Sequence, residues 1–419
     1  MAAIKSIHAR EILDSRGIPT IETVIEADNG ESAVASIPSG TSTGKYEAHE
    51  LRDNDRDRYG GMGVRKAVEH VNTVIAPQLV GKDPTRQSEV DQTMVTLDGT
   101  LDKSRLGGNA ILSVSQAACE LGAVLLHVPT YQYVHEKYRL TNGTLSIPTP
   151  IFNVINGGRH GSGNLDFQEF HIIPVTNKSY PDALQCGEEI YQMLGTVLAH
   201  RGAIHSVGSE GGYAPNLYAN VDALELILEA IKEAKYTYAR DVFMGLDVAA
   251  NSFYKDGKYA IRDKSNPLTR DELITFYQGL HERFHLVSIE DPLHEDDLDG
   301  WAKMTKLFGS SAMIVGDDLL TSNPDRVKTA IEKKLSTAIL VKPNQIGTIS
   351  ETIEVIGLAR TAGWNIIVSH RSGETEDDFI ADFAVGVGAN YVKFGAPSRG
   401  ERIAKYNRLL KIADDLTRP

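Results

Sequence analysis

The sequence predicts an α/β protein: an N-terminal α+β domain over residues 1–137, followed by a (β/α)8 barrel over residues 138–419. Three observations carry that prediction. A hairpin signal followed by helical patterns occupies the first third of the chain. From about Phe243 onward, short β-rich runs alternate with amphipathic stretches. Each of those runs closes on a charged residue or a histidine.

The hairpin comes first. "IETVIEAD" (21–28) and "ESAVASIP" (31–38) flank Asn29-Gly30, two alternating runs around the strongest short turn signal. Helical patterns follow at about 64–75, 88–97 and 109–126. The stretch "RLTNGTLSIPTP" (139–150) is polar and turn-rich and reads as a linker.

The later runs are "FMGLD" (243–247), "LVSIE" (286–290), "AMIVGD" (312–317), "TAILVK" (337–342), "NIIVSH" (365–370) and "NYVKF" (390–394). Strand–helix alternation implies parallel strands with crossover helices. The polar residues closing the runs are Asp247, Glu290, Asp317, Lys342, His370 and Lys393. The last five are 27, 25, 28 and 23 residues apart, about one βα unit each. The first gap is 43 residues and holds the extra turn-rich segment "YKDGKYAIRDKSNP". In a (β/α)8 barrel the C-terminal strand ends converge on one mouth, where active sites lie. A doubly wound open sheet is the alternative, but it would not bring six strand ends together.

Composition narrows the function. Hydrophobic residues at 41% and charged residues at 24% are ordinary for a soluble globular protein. The net charge of −13 argues against a nucleic-acid or anionic-membrane surface, because phosphate-rich partners need a basic field. An anionic substrate must then be drawn in by a local cluster of cations or metal. Cys119 and Cys186 lack CxxC spacing and read as reduced core thiols of a cytosolic protein. The N-terminus predicts no secretory signal, and no run approaches the roughly 18 apolar residues of a membrane helix. The sequons at Asn142 and Asn177 are therefore taken as chance matches.

Asp247, Glu290 and Asp317 come from three successive strands. Converging carboxylates repel one another unless a cation sits among them. Oxygen-only ligands suit hard ions such as Mg²⁺ rather than zinc. Salt-bridged carboxylates are the plain alternative. After "NIIV", Arg371 offers a planar fork and Ser372 a hydroxyl and an amide, a pair suited to a phosphate or carboxylate. Ser372 could equally cap the following helix. Lys342 and Lys393 are expected to face each other across the mouth. A lysine near another ammonium and near metal has a lowered pKa, so Lys342 can act as a base.

Two polar islands lie upstream. "INGGRHGSGNLDFQEF" (155–170) carries His160, Gln168 and Glu169, and "GSEGGYAPN" (208–216) sets Glu210 before two glycines. Each reads as either a ligand-presenting loop or a surface loop. "PSGTSTGKYEAHE" (38–50) fails as a phosphate-binding P-loop: three residues separate Gly40 from Gly44, and Tyr46 follows the lysine. Its small residues still suit a mobile lid.

With these residues laid out, the chain resembles the enolases over nearly its whole length. "AREILDSRG", "SGTSTG", "GSEGGYAPN", "SIEDP", "GDDL", "KPNQIGT", "SHRSGETED" and "GERIAKYNRLLKI" carry the resemblance. It implies a barrel whose first units are irregular, with one early strand antiparallel. It implies a cytoplasmic homodimer or an octamer of dimers, and reversible dehydration of 2-phospho-D-glycerate to phosphoenolpyruvate with two Mg²⁺. Sites of this superfamily are known to pair a Lys or His base with one or two Mg²⁺.

Roles follow by matched position. Asp247, Glu290 and Asp317 would bind the first Mg²⁺, and the Ser42 backbone with substrate oxygens the second. Lys342 would remove the C2 proton. Glu210 would assist loss of the C3 hydroxyl, with Glu169 beside it. Arg371 and Ser372 would hold the phosphate, and Lys393 the carboxylate. Gln168 would contact the substrate, and His160 and His370 would close over it. Ile18, Ser209, Asn251-Ser252 and Phe394 depart from the family's usual residues. Two rivals stand beside this reading. One is a superfamily enzyme acting on another acid, for which the Arg371–Ser372 clamp is superfluous. The other is a binding protein on an enzyme scaffold, with a role at the cell surface or in an RNA-degrading complex.

Overall fold

The computed structural model describes residues 2–418 other than 41–43, 142, 162 and 164. Ser42, expected to touch metal and substrate, lies outside the described residues.

The chain opens with an antiparallel sheet of β1 (Ile4–Leu13), β2 (Pro19–Ala27) and β3 (Ser32–Ser36), in that order. The β2–β3 hairpin turns at Asn29-Gly30 as expected. Gly30 takes φ +89°, a left-handed value that suits glycine. β1 escaped the sequence reading because its alternation breaks at a bulge between Ile4 and Ser6. Among the described residues, the α-helices that follow are α1 (Arg65–His70), α2 (Ala76–Leu79), α3 (Gln87–Asp98), α4 (Gly108–Leu125) and α5 (Thr130–Tyr138). A π-helical turn, Val71–Ile75, joins the first two. α4 is buried almost throughout and lies across the sheet, where Ser113 Oγ accepts a 2.8 Å hydrogen bond from Thr23. No single helix among the described residues is long and apolar enough to cross a membrane.

Among the described residues, the second part holds ten strands and nine α-helices, in chain order. They are β4 (Thr149–Asn156), β5 (Glu169–Pro174), α6 (Tyr180–His200), α7 (Asn220–Glu233), β6 (Val242–Asp247) and the small hairpin β7 (Tyr254–Lys255) and β8 (Lys258–Tyr259). Then come α8 (Arg270–Phe284), β9 (Ser288–Glu290), α9 (Leu298–Phe308), β10 (Met313–Gly316), α10 (Pro324–Lys333) and β11 (Ala338–Val341). The chain ends with α11 (Pro343–Ile346), α12 (Ile349–Thr361), β12 (Asn365–Ser369), α13 (Phe379–Gly386), β13 (Tyr391–Lys393) and α14 (Gly400–Thr417). Eight strands close a barrel in the order β4-β5-β6-β9-β10-β11-β12-β13, with β13 paired to β4. The segment read as a linker overlaps the first barrel strand, since Thr149 and Pro150 already pair with β13.

Side-chain parity explains why the strands end on polar residues. Val315, Leu340 and Ile367 fill the lumen in one apolar cluster, while their neighbours Ile314, Ile339 and Val368 join the larger core under the helices. A strand alternates faces with period two. Two residues beyond Val315 stands Asp317, and two beyond Leu340 stands Lys342. The lumen therefore has an apolar floor and a charged upper layer. The layer is staggered as tilted barrel strands require. Asp247 is level with Glu290, and Glu290 with Val315, so Asp317 sits two residues higher.

β5 is the one reversed strand, antiparallel to both β4 and β6. Reversal has two effects on the mouth. The first residue of β5, Glu169, lies at the top, level with Asp247. The chain then leaves β5 at the bottom and must enter β6 from the bottom too. It climbs through α6, turns at the mouth and descends through α7. The turn between those helices carries Glu210.

Candidate active site

Three acidic strand ends meet around one ammonium. Lys393 Nζ lies 2.9 Å from both Glu290 oxygens, 3.1 Å from Glu169 and 3.5 Å from Asp247. Burial lowers its pKa, but Glu169, Glu290 and Asp247 outweigh this and hold it well above the usual lysine range. Burial pushes the Glu290 carboxyl well up, with Asp247 adding repulsion, and Asp247 is raised for the same first reason. Asp317 accepts hydrogen bonds from Lys342 at 2.5 Å and Gln345 at 2.9 Å. Asp291 and Asp318 stand beside it, and burial with the Asp317 charge pushes Asp318 up to about 7.

Among the described residues, the carboxylate oxygens that gather within 4.8 Å are those of Asp291, Asp317 and Asp318, and those of Glu169 and Glu210 with His160. The expected set of Asp247, Glu290 and Asp317 shares Asp317 with the first group. Asp247 and Glu290 turn to Lys393 instead, while Asp291, Asp317 and Asp318 offer oxygen donors only, two of them buried and one half-buried. That chemistry fits a hard divalent cation.

The expected fall in the pKa of Lys342 is not what the arrangement gives. Burial, Arg371 and Lys393 do pull it down. Asp317 more than offsets them and leaves the ammonium above its usual value. The cations around Lys342 would lower its pKa, but its nearest charge is the Asp317 carboxylate, 25 residues away in sequence.

The other side of the mouth is a proton-sharing cluster. His160 Nδ1 is 3.1 Å from Glu169 and 3.4 Å from Glu210. Burial works against a charged ring, yet Glu210 and Glu169 push His160 up to about 10. Glu210 accepts from Asn153 at 3.0 Å and lies 3.5 Å from His370 Nε2. Burial would raise Glu210, but His160 and His370 hold it well below the carboxylate range. The proton of this cluster therefore sits on His160, with Glu210 as its ionised partner. His171 Nε2 bonds Glu169 at 2.8 Å.

Arg371 and Ser372 also line this cavity. Arg371 Nη1 lies 3.0 Å from both Glu47 and Asn344. Ser372 caps no helix, because the next one starts at Phe379 behind Asp378; its hydroxyl lies 3.2 Å from His160 Nε2. Gln168 donates to Asp247 at 3.1 Å. Every expected site residue among those described thus falls in this mouth or is bonded to its lining.

Sequence reasoning missed several residues here. His171 and Asn153 belong to β5 and β4, which it did not read as strands. Asp318 and Gln345 were within quoted motifs but were given no role. Arg159 lines the cavity and is exposed. Of the unusual residues, Asn251 donates to Asp318 at 3.1 Å, and Phe394 is fully buried against Tyr406.

Residues 144–419 match the family model described as "Enolase, C-terminal TIM barrel domain", and residues 4–134 match "Enolase, N-terminal domain".

Proposed function

This chain belongs to the enolase family, and from that premise we propose that it is a hydro-lyase converting 2-phospho-D-glycerate reversibly to phosphoenolpyruvate, with two Mg²⁺. One observation carries the reading. A single cavity is lined by a lysine ion-paired to a carboxylate, a carboxylate held by two histidines, and a guanidinium next to a hydroxyl.

Asp247, Glu290 and Asp317 are the residues that would hold one ion. When bound, the ions neutralise the negative charge that collects on the substrate carboxylate once the C2 proton leaves. Lys342 accepts that proton at Nζ. Its neighbours Arg371 and Lys393 favour the neutral amine and Asp317 opposes it, so Lys342 works as a base once the Asp317 charge is drawn elsewhere. Hydroxide is a poor leaving group and needs a proton. Glu210, ionised between the two histidines, relays to the C3 oxygen the proton that His160 holds. Arg371 and Ser372 hold the phosphate, Lys393 the carboxylate, and His160 and His370 close the site with Gln168. A cytoplasmic location and a homodimer or larger assembly of dimers rest on family membership alone.

The test is ultraviolet absorbance with 2-phosphoglycerate, first with Mg²⁺ and then with chelator. The conjugated enol phosphate absorbs and its precursor does not. Growth of signal that stops on chelation is expected; a flat trace from folded protein would overturn the reading.

A further inference from the structure

Arg402, in the first turn of α14, is fully buried, and its guanidinium reaches two separate loops. Nη1 lies 2.7 Å from the Arg371 carbonyl and 2.7 Å from His370 Nδ1. Nη2 donates to the carbonyls of Ser372 at 2.7 Å and Ser209 at 3.1 Å. Nε stands 3.4 Å from the Glu401 carboxylate.

A guanidinium has donors and no acceptor. His370 Nδ1 must therefore accept, and the ring's proton resides on Nε2. That nitrogen is 3.5 Å from Glu210. The backbone around this contact leaves no spare room. At Gly395, φ is +89°, and a Cβ would come within 2.7 Å of the Glu210 carbonyl, 3.1 Å of Arg402 Cδ and 3.1 Å of His370 Cε1.

We infer that Arg402 is a positioning residue that fixes the His370 proton on Nε2, facing Glu210, and ties the Glu210 loop to the loop of Arg371 and Ser372. It touches no reacting atom. It acts by choosing which histidine nitrogen donates, since the bond made by one ring nitrogen decides the state of the other. Its kinetic consequence rests on the reaction proposed above, whereas the tautomer does not.

The test is nitrogen NMR of the full-length protein labelled in histidine, with His370 assigned from the His370→Gln variant. At neutral pH the wild-type ring is expected to be neutral, with Nδ1 unprotonated and Nε2 carrying hydrogen. A proton on Nδ1, or on both nitrogens, overturns the inference. Arg402→Lys keeps a cation and loses the fork. It is expected to mix the His370 tautomers and lower kcat roughly 10- to 100-fold, the usual scale for removing the partner that orients a functional histidine. Wild-type kcat together with the wild-type tautomer in Arg402→Lys would overturn the inference. If that variant fails to fold by circular dichroism, the wild-type ring signals decide alone. A correct tautomer in a protein that leaves 2-phosphoglycerate untouched would sink the reaction and keep the positioning role.

Discussion

Lys393 Nζ sits 2.9 Å from each carboxylate oxygen of Glu290, so one ammonium closes the gap between the acidic ends of β6 and β9. Burial and the Asp317 charge raise the pKa values of the neighbouring carboxylates Asp291 and Asp318, a crowding of acids that a divalent ion would relieve. Mg²⁺ should therefore raise the melting temperature over that in chelator, by mass action on the folded state. Glu290→Gln should shrink that rise and weaken Mg²⁺ binding at least about tenfold, or roughly 1.4 kcal/mol. Calorimetric titration reads the affinity; an unchanged value would remove Glu290 from the ion site.

The proton transfers should separate by mutation. Lys342→Ala is expected to cut exchange of the C2 proton with solvent by about 10³-fold or more, a typical general-base contribution. Glu210→Gln should keep exchange and lose dehydration. Proton exchange followed by NMR in deuterated solvent makes the comparison. Exchange surviving in the lysine variant would exclude Lys342 as the base.

Arg371 presents a fork that Glu47 and Asn344 occupy here. Arg371→Lys keeps the charge and loses the bidentate geometry. KM for the phosphorylated substrate should rise roughly 10- to 100-fold, the equivalent of a charge-assisted hydrogen bond of about 1.5–3 kcal/mol. Steady-state kinetics with equal KM for both proteins would contradict a phosphate role.

How much of this was legible in the sequence depends on which way each strand runs. For parallel strands, looking to the C-terminal ends sufficed to place Asp247, Glu290, Asp317, Lys342 and Lys393 together at the mouth. β5 runs backwards, so Glu169 opens its strand instead of closing it. Glu210 rides on a turn between two helices and showed only as a glycine-framed loop. The family resemblance supplied what the periodic pattern could not. Arg402 left no signal of its own: an arginine in a helix near the chain's end looks like any solvated residue until the fold buries it. Charge states were the least legible, because the Lys342 ammonium is governed by Asp317, a contact 25 residues away in sequence.

Away from the mouth, Gln116 donates to both Glu120 at 3.1 Å and Asp377 at 3.0 Å. Burial raises both acids, Asp377 to about 6 from its ordinary 3.8, and Glu120 is raised further by the Asp377 charge. A raised carboxyl favours the fold while protonated. That contribution is whole below about pH 4 and lost as pH climbs through about 6. Glu120→Gln relieves part of the loss. Its melting temperature relative to the wild type should be higher at pH 8 than at pH 4, by about 1–3 °C. Scanning calorimetry at the two pH values decides, and an unchanged difference refutes the coupling.

Gly187 of α6 faces Phe152 of β4 so closely that a methyl group there would overlap the ring. Gly187→Ala gains helix propensity but should lose about 1–3 kcal/mol to overpacking, seen as a lower urea midpoint. A more stable variant would mean that α6 can slide.

The last barrel strand pairs with the first, and the last helix carries the guanidinium that joins the loops of Glu210 and Ser372. Translation therefore finishes the barrel late. Until Tyr391–Lys393 leave the ribosome, β4 and β12 are open edges, each able to recruit a strand from another nascent chain. A polypeptide stalled before α14 would hold nearly every residue of the site and still lack the one that joins its halves. Stop codons that remove α14 should thus yield inactive, aggregation-prone chains rather than a smaller working enzyme.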